Sequence, residues 1–320
     1  MLVHRLWPTS CARRCNSSLT VTGESIAALD RWISSTLNRG LTLTDTLRGE
    51  HLSDLYVTLP TRDAAKLRQP YLCKTGQSLG YGHHLVFFHP RNPERVLRWD
   101  GTDADFCPPE PFSRRMWAGG KMKWNEPLSV GEKVIATSTI ASVEKKGFEK
   151  GTPMVFVKQK LEYRRKHAQH AAIEEERSHV YLTAPGNRRG VRTVDGVPGD
   201  PDYRFEYLPS ATTLFRFSAL TFNGHFIHLD REYAATEGYP ERLVHGPLTA
   251  LMLLDVFSMQ FPDSMISSFE YRAVNPLIVN RKVAICGKKH TSNNTVQVWA
   301  EDVETKAIGM VGQINLHNSA

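Results

Sequence analysis

Between Thr221 and Asp230 the chain reads TFNGHFIHLD, placing His225, His228 and Asp230 within six residues among apolar neighbours. Histidine is the side chain whose ordinary pKa lies closest to neutrality, so either imidazole could take up and return a proton. His228, between Ile227 and Leu229, would be partly shielded, which leaves its pKa open to tuning by a neighbour. The same letters also suit a polar strand edge or a surface loop. Further on comes LVHGPL, Leu243 to Leu248. Gly246 there is a plausible helix cap, and Pro247 fits a first helical turn because its missing N–H would have been orphaned anyway. Free N–H groups in the positive field of that helix could hold a developing oxyanion. A plain helix cap would read identically. The HFIH spacing offers two imidazoles but no third ligand in pattern, so no metal is expected.

These groups need elements to hold them. PLTALMLLDVFSMQF is apolar nearly all round, with Leu248, Leu251, Met252, Leu254, Val256 and Met259 leaving little polar surface. Such a helix must be wrapped rather than covered on one face. A curved antiparallel sheet folded about it meets that demand, which makes the fold class α+β. Alternation marks the strands, most clearly in MVFVKQKLEY and in AIGMVGQINL. A repeat is visible as well. Pro127-Leu128 matches Pro276-Leu277 and Lys133-Val134 matches Lys282-Val283 at a single offset of 149 residues. Polar turns and two alternating strands follow each copy, so the chain reads as a duplicated domain.

Upstream, Glu24 to Leu47 reads as helical, with Ile26, Leu29, Ile33 and Leu37 in register. GYGHHLVFFHP (Gly80 to Pro90) reads as a strand or short helix, and CPPEPFSRRMWAGGK (Cys107 to Lys121) as a loop rich in Pro and Gly. The charged run Arg164 to Arg177 reads as a solvated helix or a ragged strand extension. Expected boundaries are a leader at 1–23, a degenerate first unit at 24–183, a linker at 184–202 and a catalytic unit at 203–320.

The formal charge of +7 suits an anionic partner, but Arg5, Arg13 and Arg14 carry three of those charges within a Ser- and Thr-bearing stretch free of Asp and Glu. That composition is expected of a mitochondrial transit peptide, placing the mature chain in the matrix. Without the three arginines the balance falls to +4, too small and scattered to argue for nucleic acid. No run of about eighteen apolar residues exists, so no membrane span is expected. Cys11, Cys15, Cys73, Cys107 and Cys286 show no metal-ligand or framework spacing and read as free thiols.

Taken together, FSALTFNGHFIHLDREYAATEGYPERLVHGPL resembles the MaoC-like (R)-specific enoyl-thioester hydratases and dehydratases, which have a hotdog fold. GYGHHLVFFHP and PFSRRMWAGGKMKWNEPLSVGE resemble the first half of double-hotdog members. These include the mitochondrial 3-hydroxyacyl-thioester dehydratase type 2 of fungi and the mesaconyl-C4-CoA hydratases. The resemblance implies a double hotdog and a reversible syn removal of water from a 3-hydroxyacyl thioester of coenzyme A or acyl carrier protein, without a cofactor. His228 falls on the family's catalytic histidine and Gly246 on the glycine whose N–H polarises the thioester carbonyl. Asn223 falls where the family usually has its catalytic aspartate, and an amide can orient a proton but not carry one. His225 is therefore the candidate partner for the second proton, with Asp230 behind it. Arg115 and Arg272 are candidates for contacts with the phosphates of the carrier, Arg115 together with Arg114, Lys121 and Lys123. A hydratase of mesaconyl- or itaconyl-type dicarboxylic acyl-CoA shares every motif, and a non-catalytic thioester-binding protein is the third possibility. Two fused hotdogs supply the pairing a single one seeks elsewhere, so a monomer or a homodimer is expected.

Overall fold

The computed structural model describes residues 21–37, 39–62, 73–183, 190–290 and 293–317. The expected leader with Cys11 and Cys15, and residues 184–189 of the expected linker, lie outside the described residues.

Alternating sequences build one ten-stranded antiparallel sheet, with strands numbered in chain order. Across it run β1 (Gly40–Thr46), β3 (Lys133–Lys146), β4 (Met154–Arg165), β5 (Ile173–Leu182) and β2 (Arg114–Trp124). The order continues as β7 (Ile266–Ala273), β10 (Ile308–Leu316), β9 (Thr295–Asp302), β8 (Val283–His290) and β6 (Tyr203–Tyr207). Each half thus has the same strand order, run in opposite directions from a central seam between β2 and β7. The offset of 149 that aligns Pro127 with Pro276 also carries Lys121 onto Glu270, and these two residues pair with each other at the seam. An approximate two-fold axis passes between them. This is a double hotdog, an α+β fold.

The seam explains a misreading. RRMWAGGK, taken for loop because of its glycines, is the first part of central strand β2. A Cβ on Gly119 would sit 2.4 Å from the Tyr271 carbonyl oxygen, and one on Gly120 2.4 Å from that of Glu176. The glycines permit close approach of neighbouring strands rather than a turn. The helical reading of 24–47 also holds only in part. Helix α1 (Gly23–Thr36) opens with a capping box on Thr22 and Ser25, but residues 40–46 are β1, paired to β3. GYGHH contains a 3-10 turn, His83–Val86. The run 164–177 proves to be the end of β4, a turn and the start of β5.

In the second half, the wrapped helix is α6 (Gly246–Gln260), with every residue from Leu248 to Phe257 buried. Burying each large apolar side chain contributes about 1.5–3 kcal/mol, so α6 anchors the core. Its one buried acid, Asp255, is met by Arg62 (2.7 Å), His83 (3.2 Å) and the Thr61 hydroxyl, all from the first half. Among the described residues the first half has no such helix. Its concave face is filled by α2 (Gly49–Tyr56) and the segment Leu85–Phe88, packed with Met122, Val134 and Tyr163. Helix α1 packs elsewhere, on Ile140, Val157 and Tyr181. Among the described residues no helix is long and apolar enough to cross a membrane.

Candidate active site

TFNGHFIHLD is neither strand edge nor open loop. It follows helix α3 (Ala211–Leu220), bends through Phe222 at a φ of 50°, and forms the short helix α4 (Phe226–Leu229). The first half holds it in place. The Phe226 N–H donates to the Asp100 carbonyl (3.0 Å), and a Cβ on Gly101 would fall 2.2 Å from the Gly224 carbonyl oxygen. The turn at 100–102 and the NGH loop lie backbone against backbone.

The His228 Nδ1–H donates to the Leu243 carbonyl at 2.8 Å. A carbonyl can only accept, so this bond fixes the tautomer and leaves Nε2 with a lone pair. Burial lowers the His228 pKa to about 4, Arg115 adds to the fall, and the Leu243 bond opposes it. The imidazole is a neutral base at physiological pH. His225 lies edge-on to it at 5.6 Å between ring centroids, and its Nε2 is buried without a hydrogen-bond partner. Burial, the neighbouring His228 and Arg115 hold the pKa of His225 well below the ordinary value. Asn223 Oδ1 accepts the His225 backbone N–H (3.0 Å), which leaves its amide NH2 to face other groups.

Helix α6 begins beside these rings. Gly246 is the first residue of the helix, so its amide lacks an intrahelical acceptor, and the N-cap His245 makes no side-chain cap hydrogen bond in its place. The ring of His245 stacks on that of His228 with centroids 3.6 Å apart, which places the base within one residue of Gly246. A Cβ at 246 would meet Trp117 Cγ at 2.9 Å. Trp117, on β2, therefore makes glycine necessary there.

One cleft of about 1230 Å³ is lined by Asn223, His225, His228, Gly246, Arg115 and Arg272. Arg114 lines it too, whereas the other sequence candidates, Asp230, Lys121 and Lys123, do not. The cleft extends beneath the first half along Leu41, Leu43, Leu85, Phe88, Met154 and Phe156. Asp230 is elsewhere: its carboxylate caps α5 (Arg231–Thr236), accepting from the Glu232 and Tyr233 amides at 2.8 and 3.1 Å. The fallback acid is thus a capping residue. Arg114 is ion-paired to Glu237 at 2.8 Å, and Lys121 lies 4.0 Å from Glu270 on the exposed seam. Arg272 is exposed at the cleft, whereas Arg115 is half-buried within it and close enough to His228 and His225 to lower both. Cys73, Cys107 and Cys286 are free. Among the described residues no group of three or more His, Cys, Asp or Glu could hold a metal ion.

Sequence reasoning missed Ser218, His245, Trp117 and the turn at 100–102. His245 lies within the HGP step, but nothing local to that step marks its ring as stacked on His228.

A double hotdog whose wrapped helix presents an open amide beside a neutral imidazole has the parts to hold a thioester carbonyl and move a proton next to it, and the family match makes the class an acyl-thioester hydro-lyase. The model of the family Hydroxyacyl-thioester dehydratase type 2 matches residues 82–279, and the chain belongs to that family. It is 35% identical over 197 residues to the mesaconyl-C(4)-CoA hydratase of Chloroflexus aurantiacus, covering 61% of this chain and 69% of that one. It is 28% identical over 267 residues to the mitochondrial hydroxyacyl-thioester dehydratase type 2 of Schizosaccharomyces pombe, covering 74% and 86%. Among solved structures, a MaoC-like dehydratase from Phytophthora capsici superposes with a TM-score of 0.65 at 15% identity, over 91% of this chain and 99% of that one.

Proposed function

We propose that the chain interconverts (3R)-hydroxyacyl and trans-2-enoyl thioesters by adding or removing water. The observation that carries this is the His228 tautomer, which leaves an Nε2 lone pair on a residue that lines the same cleft as Gly246. In dehydration, His228 Nε2 takes the C2 proton while the Gly246 N–H holds the charge that gathers on the thioester oxygen. The C3–O bond then breaks, and the departing hydroxide takes up that same C2 proton, handed on from the His228 imidazolium, so that water leaves and the neutral base is restored. Asn223 orients that hydroxyl through its free NH2. His225, neutral and with an unpartnered nitrogen, is the second station for the proton. Incubation with crotonyl-CoA should remove the enoyl absorbance, and an inert protein would sink this reading.

The physiological setting we propose is mitochondrial fatty acid synthesis, on chains borne by acyl carrier protein. Support comes from the leader-like composition of residues 1–23, the mitochondrial relative, and the apolar wall running beneath the first half. The fused halves leave a monomer sufficient for the site. One observation favours a second reading, hydration of a dicarboxylic acyl-CoA of the mesaconyl or itaconyl type. Arg114, Arg177 and Arg281 face the cleft with acidic partners at 2.8, 2.6 and 3.7 Å. Arg115 has no carboxylate within 4.0 Å among the described residues. Its strongest neighbours are the Tyr181 hydroxyl and Cys107, and the acids near it, Asp100 and Asp103, accept hydrogen bonds from Thr102 and Asn92. A half-buried guanidinium in this state suits a substrate carboxylate a few bonds from the thioester. Rates across acyl lengths, with mesaconyl-CoA alongside, decide between the two. Arg115→Gln should lower the dicarboxylate rate by about tenfold more than the crotonyl rate if the second reading holds.

A further inference from the structure

His245 is buried, with no exposed surface, and its side chain does not line the cleft. It cannot meet substrate, yet it touches both ends of the chemistry. Its ring lies against His228 at 3.6 Å with only 21° between the planes. Its backbone leads directly into Gly246. Nε2 of His245 is 2.9 Å from the Ser218 hydroxyl, and Ser218 also accepts the Asn223 backbone N–H through its carbonyl at 2.8 Å. Phe217 closes the neighbourhood edge-on, with its ring centroid 5.1 Å from that of His245. Nδ1 of His245 is buried with no hydrogen-bond partner. An unmatched buried nitrogen is a cost that a phenylalanine or leucine at this position would not carry. Something other than core packing calls for an imidazole here.

We propose that His245 is a positioning residue, and that the Ser218–His245 pair sets where His228 Nε2 stands relative to the Gly246 amide. The hydrogen bond fixes the roll of the His245 ring. The stacked face then fixes the plane of His228, which is also held by its bond to Leu243 and its edge-on contact with His225. Because His245 is also the N-cap of α6, any shift of the ring is felt at the amide. Ser218 extends the same frame to Asn223. The three groups that contact substrate in the proposed reaction are thereby referred to one buried pair. The inference rests on that reaction, in which His228 and Gly246 act on one thioester.

The test is a cycle of Ser218→Ala, His245→Phe and the double variant in the full chain, with crotonyl-CoA hydration as the readout. Misplacing reacting groups by about 1 Å can cost about 100-fold in rate. Each single variant keeps a ring in the stack, so each should lower kcat by about tenfold with KM within about threefold. The double variant should be no slower than the worse single, because both remove the same bond. His245→Ala, which also removes the stacked face, should fall by about 100-fold. Thermal melting supplies the fraction folded, by which each kcat is corrected. If corrected kcat stays within about twofold of native in both single variants, or the double loses the product of the two, His245 is merely structural. Should His245→Ala fail to fold, Ser218→Ala still decides, since it leaves the ring in place. An active native enzyme with unaffected variants overturns this inference alone, whereas an inactive native enzyme overturns the hydratase reading and this inference with it.

Discussion

The two halves of the sheet both carry histidines on a glycine-led turn, and treat them in opposite ways. In the first half, Gly82-His83-His84 is buried and each ring faces a carboxylate. His83 meets Asp255 at 3.2 Å, and His84 meets Glu175 at 3.3 Å. Glu175 is also gripped by Arg177 at 2.6 Å and by the Tyr163 hydroxyl at 2.7 Å, so its carboxyl stays well below the usual carboxylate range despite burial. In the second half, Gly224-His225 and His228 face a cleft, and neither ring has an ion-pair partner among the described residues. A carboxylate partner ties an imidazole in place, while burial without one keeps His225 and His228 neutral and able to accept a proton. The same residue type serves as a fastening in one half and as a candidate base in the other.

Substitutions that respect this division would sharpen the contrast, and substitutions that cross it would break it. The largest effect is expected at His228→Ala, which should lower turnover by about 10³-fold or more while leaving the melting temperature near native. Activity persisting within tenfold would remove the base from the proposal. The reverse pattern is expected in the first half. Glu175→Ala leaves a half-buried Arg177 and a buried His84 without their acid, and should cost about 3 kcal/mol of stability in denaturant titration. Asp255→Ala should behave alike, because it also unfastens Arg62 and His83 from α6. A smaller change is expected where the halves touch. Gly101→Ala, at a φ of 80° and against Gly224, should lower turnover by about tenfold through the displaced NGH loop.

Least dramatic is the response to pH, and its sign follows from burial. His228 protonates at about 4 when folded and near 6.5 when unfolded, and burial also holds His225, His179 and His245 low. Between those values the unfolded chain binds more protons, so stability from these groups is complete above about 6.5 and is lost as pH falls towards 4. Melting temperatures across pH 4 to 7 should rise with pH. The acid limb of kcat/KM should lie near 4, and a limb near 6.5 would mean that His228 is solvated.

Much of this was legible in the sequence because it depends on local pattern. The apolar surround of α6 announced a wrapped helix, and the offset between Pro127 and Pro276 announced the duplication. Asn223, His225, His228 and Gly246 could be read because they lie on two short motifs, TFNGHFIHLD and LVHGPL. What escaped was set by contacts distant in sequence. Gly119 and Gly120 looked like turn residues until β7 lay beside them. Asp255 looked like a blemish in an apolar helix until Arg62 and His83 came up to it. Asp230 looked available until its own following amides claimed it. No periodicity reports a partner nearly two hundred residues away.

The pairing of Lys121 with Glu270 has a consequence for how such a molecule can vary. Two separate but identical chains meeting at that axis would oppose each position to its own copy, and every substitution would appear twice. Here a lysine faces a glutamate, which is attractive, where identical chains would set like charges against each other. Joining the copies in one polypeptide lifts that restriction, so one lobe can surrender its own reactive groups to become scaffold and lining for the other.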